Sequence, residues 1–271
     1  MQLSNFFEKC WSRYVKLTPD APKIHKLLED RGERVINDHV AFRTFNLPGI
    51  SRLELGSVFE QIGYKKVPED LDFPEKKLKA NYYLHPDLTQ PKVFISELLV
   101  EKFPKDLQSW IHSIVEGSRQ LSKPPTLNTF LEPSWDPIRL EDYQTFYPMS
   151  EYAAWTAAFG IQLNHFTVSF NSLKTFQDLQ ALNSFLKTNG LVLNSAGGEI
   201  KGTPEELLEQ SSTEARKIPW TFSGGASDSI MGCYYEFARR YLIPGTQNFF
   251  NGFIPKSANK IFESTYEKQK K

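Results

Sequence analysis

Two short stretches of the chain alternate large apolar with smaller or polar side chains, and they do so in the same way. In residues 38–45, Val40, Phe42 and Thr44 fall on one face of an extended chain, and His39, Ala41 and Arg43 on the other. In residues 164–170, Phe166, Val168 and Phe170 oppose His165, Thr167 and Ser169. Each stretch opens with a short polar residue and a histidine. Behind each, the period changes to that of a helix. Leu55, Val58, Phe59 and Ile62 mark residues 51–62, stopped by Gly63. Leu173, Phe176, Leu179, Leu182, Phe185 and Leu186 mark residues 172–189, stopped by Gly190. A short strand is expected next in each half, at 64–67 and 191–194. Each half then closes with a strand pair: 78–84 with 92–99 across His85-Pro86-Asp87, and 217–222 with 232–239 across a turn region at Gly224-Gly225.

The order strand, helix, strand, strand, strand thus occurs twice, and a repeat of this kind governs the rest of the reading. The expectation is one compact α+β domain over residues 1–271. Module one spans about 35–100, a mostly helical connection 101–160 (helices at 106–115 and 151–159), and module two about 161–242. Leu3, Phe7, Cys10 and Tyr14 predict an amphipathic helix ahead of module one. Segment 195–216 reads as an insertion. In it Thr203-Pro204-Glu205-Glu206 has the form of a capping box with proline in the first turn, and Lys201, Gln210, Ser211 and Ser212 are candidates for a lid.

Two curved sheets facing one another would bring His39 and His165 to equivalent positions in one cavity. The last strand of each module carries a carboxylate, Glu97 in Phe-Ile-Ser-Glu-Leu and Glu236 in Tyr-Tyr-Glu-Phe-Ala-Arg. A glutamate in such an apolar run is costly to bury unless paired or metal-bound. Two imidazoles and one carboxylate form the facial triad of non-haem Fe(II) oxygenases. Were Glu97 to bind as well, a four-ligand site with Zn, Ni or Mn would suit a lyase, isomerase or hydrolase. Periodicity does not choose between these, nor exclude a non-catalytic binding module. Glu97 is alternatively a partner that orients a ligand or Arg43. Arg43 lies on the histidine face, roughly 13 Å along the strand from His39, where a guanidinium can grip a carboxylate or close a rim salt bridge. His25, His85 and His112 lack the repeat relation, and His85, in a Pro-containing turn, and His112, on a helix face, read as structural.

Composition narrows the partners. Lys plus Arg equals Asp plus Glu, 32 against 32; zero net charge argues against nucleic acid or an anionic membrane as partner. The terminal Lys268–Lys271 run reads as a solvated end. No stretch approaches the roughly 18 apolar residues of a membrane span. Two cysteines, Cys10 and Cys233, without a disulfide pattern or signal-peptide pattern, lead to a cytoplasmic expectation. The Gly224-Gly225 pair lacks the strand-to-helix setting of a phosphate loop.

Taken together, Asp38-His39-Val40-Ala41-Phe42-Arg43-Thr44-Phe45, Val93-Phe94-Ile95-Ser96-Glu97-Leu98, Asn164-His165-Phe166-Thr167 and Gly232-Cys233-Tyr234-Tyr235-Glu236-Phe237-Ala238-Arg239 resemble the 2-oxoadipate dioxygenase/decarboxylase (hydroxyglutarate synthase) family of the vicinal-oxygen-chelate superfamily, over about residues 30–255. The resemblance implies a glyoxalase-like pair of half-barrels. It implies Fe(II) held by His39, His165 and Glu236, with Arg43 on a substrate carboxylate. It further implies oxidative decarboxylation of 2-oxoadipate with O₂ to 2-hydroxyglutarate, a step in lysine breakdown. This chain is short, and longer members of the family carry extra segments.

Overall fold

The computed structural model describes residues 3–118 and 123–266; the Lys268–Lys271 run lies outside them. Helices α1 (Leu3–Tyr14) and α2 (Asp20–Glu29) precede β1 (Asn37–Phe45). Then come α3 (Arg52–Glu60), the short strands β2 (Lys65–Lys66) and β3 (Leu71–Phe73), and the longer β4 (Leu78–Leu84) and β5 (Lys92–Leu98). The connection holds α4 (Lys105–Glu116), α5 (Leu140–Phe146) and α6 (Glu151–Phe159). The second half runs β6 (Leu163–Ser169), α7 (Leu179–Thr188), β7 (Lys201–Thr203), β8 (Leu208–Ser212), β9 (Lys217–Thr221), β10 (Ser227–Met231) and β11 (Tyr234–Arg240), followed by α8 (Pro255–Ile261).

Nine strands form one curved sheet in the order β2-β4-β5-β1-β6-β11-β8-β7, with β3 pairing β4. The order is a palindrome about the antiparallel β1–β6 pair. On either side the last strand of the module lies parallel to the first (β5 on β1, β11 on β6), and the next strand outward is antiparallel to it. Val40, Phe42 and Phe166 face the helical layer. There Phe42 meets Phe59 of α3 at 5.7 Å, and Phe166 meets Trp11 and Tyr14 of α1 at 5.2 and 5.1 Å between ring centroids. The other face carries the histidines. No helix among the described residues is long and apolar enough to cross a membrane.

Local chemistry sets the helix boundaries. Ser51 and Glu54 close a capping box at the start of α3, and Asp178 accepts from the Ala181 amide at the start of α7. The second helix is shorter than its apolar pattern. The amides of Lys174 and Thr175 donate to the Glu33 carboxylate at 2.8 and 2.6 Å, and the helix opens only at Leu179, behind the Asp178 cap.

Module two departs from expectation in its strands. The segment 217–222 does not join the main sheet; β9 pairs with β10 in a separate two-stranded ribbon. The sheet partner of β11 is β8, from the segment read as an insertion. Thr203-Pro204-Glu205-Glu206 is the turn of the β7–β8 hairpin. Thr203 Oγ1 does accept from the Glu206 amide, but Leu207 takes φ 64°, which ends any helix after one turn. The strand expected at 191–194 is reduced to a single bridge, Leu193 to Thr213. β3 and α5 lack a sequence signal strong enough to have been expected.

The chain packs tightly where β11 begins. A Cβ on Gly232 would collide with the Leu17 carbonyl, and the neighbouring Cys233 amide donates to that same carbonyl at 2.8 Å. Backbone rather than a pliable side chain opposes the methyl group. Gly232→Ala is expected to destabilise the fold by about 1–3 kcal/mol, read as a lower urea midpoint at unchanged m-value.

Candidate metal centre

The palindromic sheet places β1 and β6 side by side, so His39 and His165 come together at its centre, with ring centroids 5.5 Å apart. Parallel pairing of β11 with β6 sets Glu236 opposite Thr167. Its carboxylate then spans the two rings: Oε1 is 3.4 Å from His39 Nε2, and Oε2 is 3.3 Å from His165 Nε2. One donor atom from each of the three residues lies within 4.8 Å of the others, and all three side chains are buried.

The polarity of these atoms decides what belongs between them. His39 Nδ1 is 2.8 Å from Asp38 Oδ1, and His165 Nδ1 is 3.3 Å from Asn164 Oδ1. Both Nδ1 atoms therefore carry the proton, and both Nε2 atoms present lone pairs toward Glu236. Thr167 Oγ1 donates to His39 Nε2 at 3.0 Å, and Gln210 Nε2 donates to Glu236 Oε1 at 2.5 Å. Glu236 Oε2 has no hydrogen-bond partner. Glu236 Oε2 and His165 Nε2, buried acceptors 3.3 Å apart with no donor between them, need a cation or a proton. Burial pushes the Glu236 carboxyl up to about 8. Burial lowers His39 despite Asp38, and burial, His39 and Arg43 hold His165 well below the usual histidine range. Two neutral imidazoles and a carboxylate are a good donor set for a divalent first-row metal.

Asp38 is itself tied down. Arg240 grips it with Nε on Oδ2 at 2.6 Å and Nη2 on Oδ1 at 2.9 Å, and Lys92 Nζ lies 3.3 Å from Oδ2. These cations, with the His39 hydrogen bond, overcome the burial that would raise Asp38 and hold it well below the usual carboxylate range. Tyr234 stacks on His165 at 4.6 Å, and its hydroxyl is buried without a hydrogen-bond partner. Phe253 meets His39 edge-on at 4.9 Å and packs against Tyr82 and Phe94.

Arg43 lies on the histidine face but not at the ligand cluster. It is buried under α6 and the chain end. Nη1 donates to Glu151 Oε1 at 3.0 Å and Nη2 to Thr265 Oγ1 at 2.9 Å; Nε has no partner. The rings of Tyr152 and Trp155 face the guanidinium at 4.8 and 4.9 Å. A cleft of about 450 Å³ opens beside it, lined by Lys76, Lys77, Tyr147 and Tyr266 among others.

Glu97 is elsewhere. It sits opposite Thr44 on the helix-facing side of the sheet, where it accepts from the Arg52 amide at 2.8 Å and from the Arg52 guanidinium. It caps α3 and is neither a ligand nor a partner of Arg43. The position matching Glu236 in module one is Phe94, opposite Ala41 as Glu236 is opposite Thr167. The sequence held the signal: Glu97 shares its strand face with Val93 and Ile95, whereas Glu236 is out of phase with the helix-facing Tyr235 and Phe237. Gln210, Ser211 and Ser212 are buried on β8 and do not form a lid: Gln210 and Ser212 lie on the histidine face, Ser211 turns to the helix layer and donates to Asn183 of α7 at 2.8 Å, and Lys201 donates to the Asn194 carbonyl at 2.5 Å. His25 bonds the Tyr235 hydroxyl at 2.7 Å, and His85 and His112 stay apart from the cluster.

Comparison with known proteins adds a lineage to this geometry. A model of the 2-oxoadipate dioxygenase/decarboxylase family matches residues 11–249. The chain is 36% identical to a rice protein named 2-oxoadipate dioxygenase/decarboxylase, chloroplastic/amyloplastic, covering 94% of this chain and 76% of the relative. A rice structure described as hydroxyglutarate synthase in complex with 2-oxoadipate superposes with TM-score 0.88 at 34% identity, covering 96% of this chain and 91% of that one. A structure from Shewanella frigidimarina, named only as a hydrolase, gives TM-score 0.86 at 44% identity over 94% and 98% of the two chains. A glyoxalase-superfamily protein from Ralstonia eutropha shares the fold at TM-score 0.74 and 17% identity, over 90% and 83%. The fold is the α+β vicinal-oxygen-chelate arrangement.

Two outcomes follow from the site. Glu236 must lose its proton to bind a cation, and burial pushes its carboxyl up to about 8, so Zn²⁺ titrated into metal-free protein at pH 7 should release up to one proton per site. Release should shrink toward zero above pH 9, and affinity should fall as pH drops below 8; a weakly buffered indicator titration reads both. Glu97→Ala should lower stability by about 1–3 kcal/mol, because it removes the acceptor of the Arg52 amide and one of the two carboxylates on the Arg52 guanidinium, Asp70 remaining. Metal stoichiometry should stay at the wild-type value, whereas His39→Ala, His165→Ala or Glu236→Ala should each abolish it.

Proposed function

This chain belongs to the 2-oxoadipate dioxygenase/decarboxylase family, and on that premise we propose that it is an Fe(II)-dependent enzyme converting 2-oxoadipate and O₂ to 2-hydroxyglutarate and CO₂. The atoms balance without any further reductant. The observation that carries the reading is the meeting of His39 Nε2, His165 Nε2 and Glu236 with no donor among them but the Thr167 hydroxyl and the Gln210 amide at the periphery. These three residues would hold the metal. When bound, Fe(II) supplies the redox chemistry toward O₂ and open positions at which a 2-oxo acid can chelate. The four-ligand alternative loses its basis, because Glu97 is committed to α3.

The protein's own side chains do the rest. Gln210 holds one oxygen of Glu236 in place through its amide. Phe253, Phe94 and Tyr82 form an apolar wall that keeps bulk water from the ligand face. Arg43 would take the far carboxylate of the substrate. Its guanidinium plane is fixed by Tyr152 and Trp155, its outer nitrogens are held by Glu151 and Thr265, and its Nε edge is the part left for a ligand. Holding that carboxylate orients the chain so that a single carbon faces the site of oxidation. The two cysteines are free and buried, in keeping with a reducing compartment such as the cytoplasm.

The test is anaerobic reconstitution with Fe(II), followed by oxygen-electrode assays over a panel of 2-oxo acids. 2-Oxoadipate should consume O₂ and release CO₂ in equal amounts. Conversion that proceeds under nitrogen would sink the oxygenase reading. Arg43→Ala should lower kcat/KM for 2-oxoadipate by roughly 30-fold to several thousand-fold, from a loss of about 2–5 kcal/mol. The preference over 2-oxohexanoate should vanish while bound metal is unchanged. Arg43→Lys should recover part of the binding, since it keeps the charge but not the fork.

A further inference from the structure

The two halves of the site are not equal in how they hold their histidines. Behind His165 stands Asn164, a neutral amide, at 3.3 Å. At the equivalent position behind His39 stands Asp38, a carboxylate, at 2.8 Å. Asp38 is buried, and each of its oxygens is engaged: Oδ1 by His39 and Arg240, Oδ2 by Arg240 and Lys92. Arg240 continues the chain of contacts. Its Nη1 donates to the carbonyls of Phe250 at 3.0 Å and Gly252 at 2.8 Å, which fixes the backbone leading into Phe253. Phe253 in turn packs on the His39 ring.

A buried ion cluster of this kind is a costly way to build a core, since well-packed apolar residues do the same at less desolvation penalty. Its geometry does something apolar residues cannot. A carboxylate accepting from Nδ1 fixes the imidazole plane, fixes the tautomer that leaves Nε2 bare, and makes that nitrogen a better donor to a cation. We propose that Asp38 is a positioning residue that makes His39 the stronger of the two imidazole ligands, with Arg240 and Lys92 holding Asp38 in place. The inference rests on the metal reading of the site, but not on any particular substrate or reaction.

The probe is Co(II) alone, titrated into metal-free protein against a competing chelator and followed by its visible absorption. Asp38→Asn should still fold, as judged by circular dichroism, and should bind one Co(II) roughly 10–100-fold more weakly than wild type, with a shifted ligand-field band. Asn164→Asp supplies the converse. The Asn164 Nδ2 atom has no hydrogen-bond partner, so putting an oxygen there breaks no bond. This variant should bind Co(II) more tightly than wild type, by up to about tenfold. Should Asp38→Asn fail to fold, Asn164→Asp decides alone. Unchanged affinity and spectrum in a folded Asp38→Asn, or unchanged affinity in Asn164→Asp, would overturn the inference and leave the proposed function standing. A wild-type protein that binds no Co(II), or binds it equally well after His165→Ala, would overturn both.

Discussion

Three hydrogen-bond acceptors meet at the middle of the sheet with their lone pairs turned inward, and the rest of the structure keeps them there. His39 Nε2, His165 Nε2 and the Glu236 carboxylate repel one another in a buried space unless something positive lies among them. Each is gripped from behind: His39 by Asp38, His165 by Asn164, Glu236 by Gln210. Further out, Arg240 and Lys92 stabilise Asp38, and Arg240 reaches the loop that brings Phe253 onto His39. The hydrogen bonds at the centre thus dictate the charges one layer away, and those charges help to place the end of the chain.

The helical connection supplies what the repeat cannot. The direct partners of Arg43 come from outside the repeat: Glu151, Tyr152 and Trp155 from α6, and Thr265 from the segment after α8. α6 is apolar all round, as a helix buried on every side must be. Its one charged residue, Glu151, is spent on the arginine. The ligand cluster therefore belongs to the repeated sheet, whereas the residues that hold the arginine belong to the elements added to it. A change in those added elements can alter what the pocket accepts while the ligand cluster stays as it is.

Much of this was legible in the amino-acid pattern. The duplicated strands, the helices behind them and the histidine pair follow from periods of two and 3.6 and from a histidine that follows a short polar residue in each half. So does Glu236. Module two was misread because its β9–β10 ribbon, Lys217–Thr221 with Ser227–Met231, has the same alternation and turn glycines as a true sheet hairpin. The real partner, β8, is Leu-Glu-Gln-Ser-Ser, which looks like a loop because its polar side chains are satisfied by hydrogen bonds on both faces, Gln210 to Glu236 on one and Ser211 to Asn183 on the other. Glu97 was misread because matching carboxylate to carboxylate ignored which face each occupied. Arg240, Gln210 and Phe253 act across long intervals of chain, and no local spacing announces a contact of that range.

The palindrome of the sheet also governs when the centre can exist. β1 and β6 touch only after the whole helical connection has been made, and Glu236 follows later still on β11. The centre is therefore a long-range structure in the sense that controls folding rate: closing those loops costs entropy before any contact repays it. A chain emerging from the ribosome presents His39 early, yet it has nothing to offer a metal until nearly all of module two has been synthesised and docked. Occupancy of the centre would then act as a clasp, closing last and joining the two halves along their shared seam.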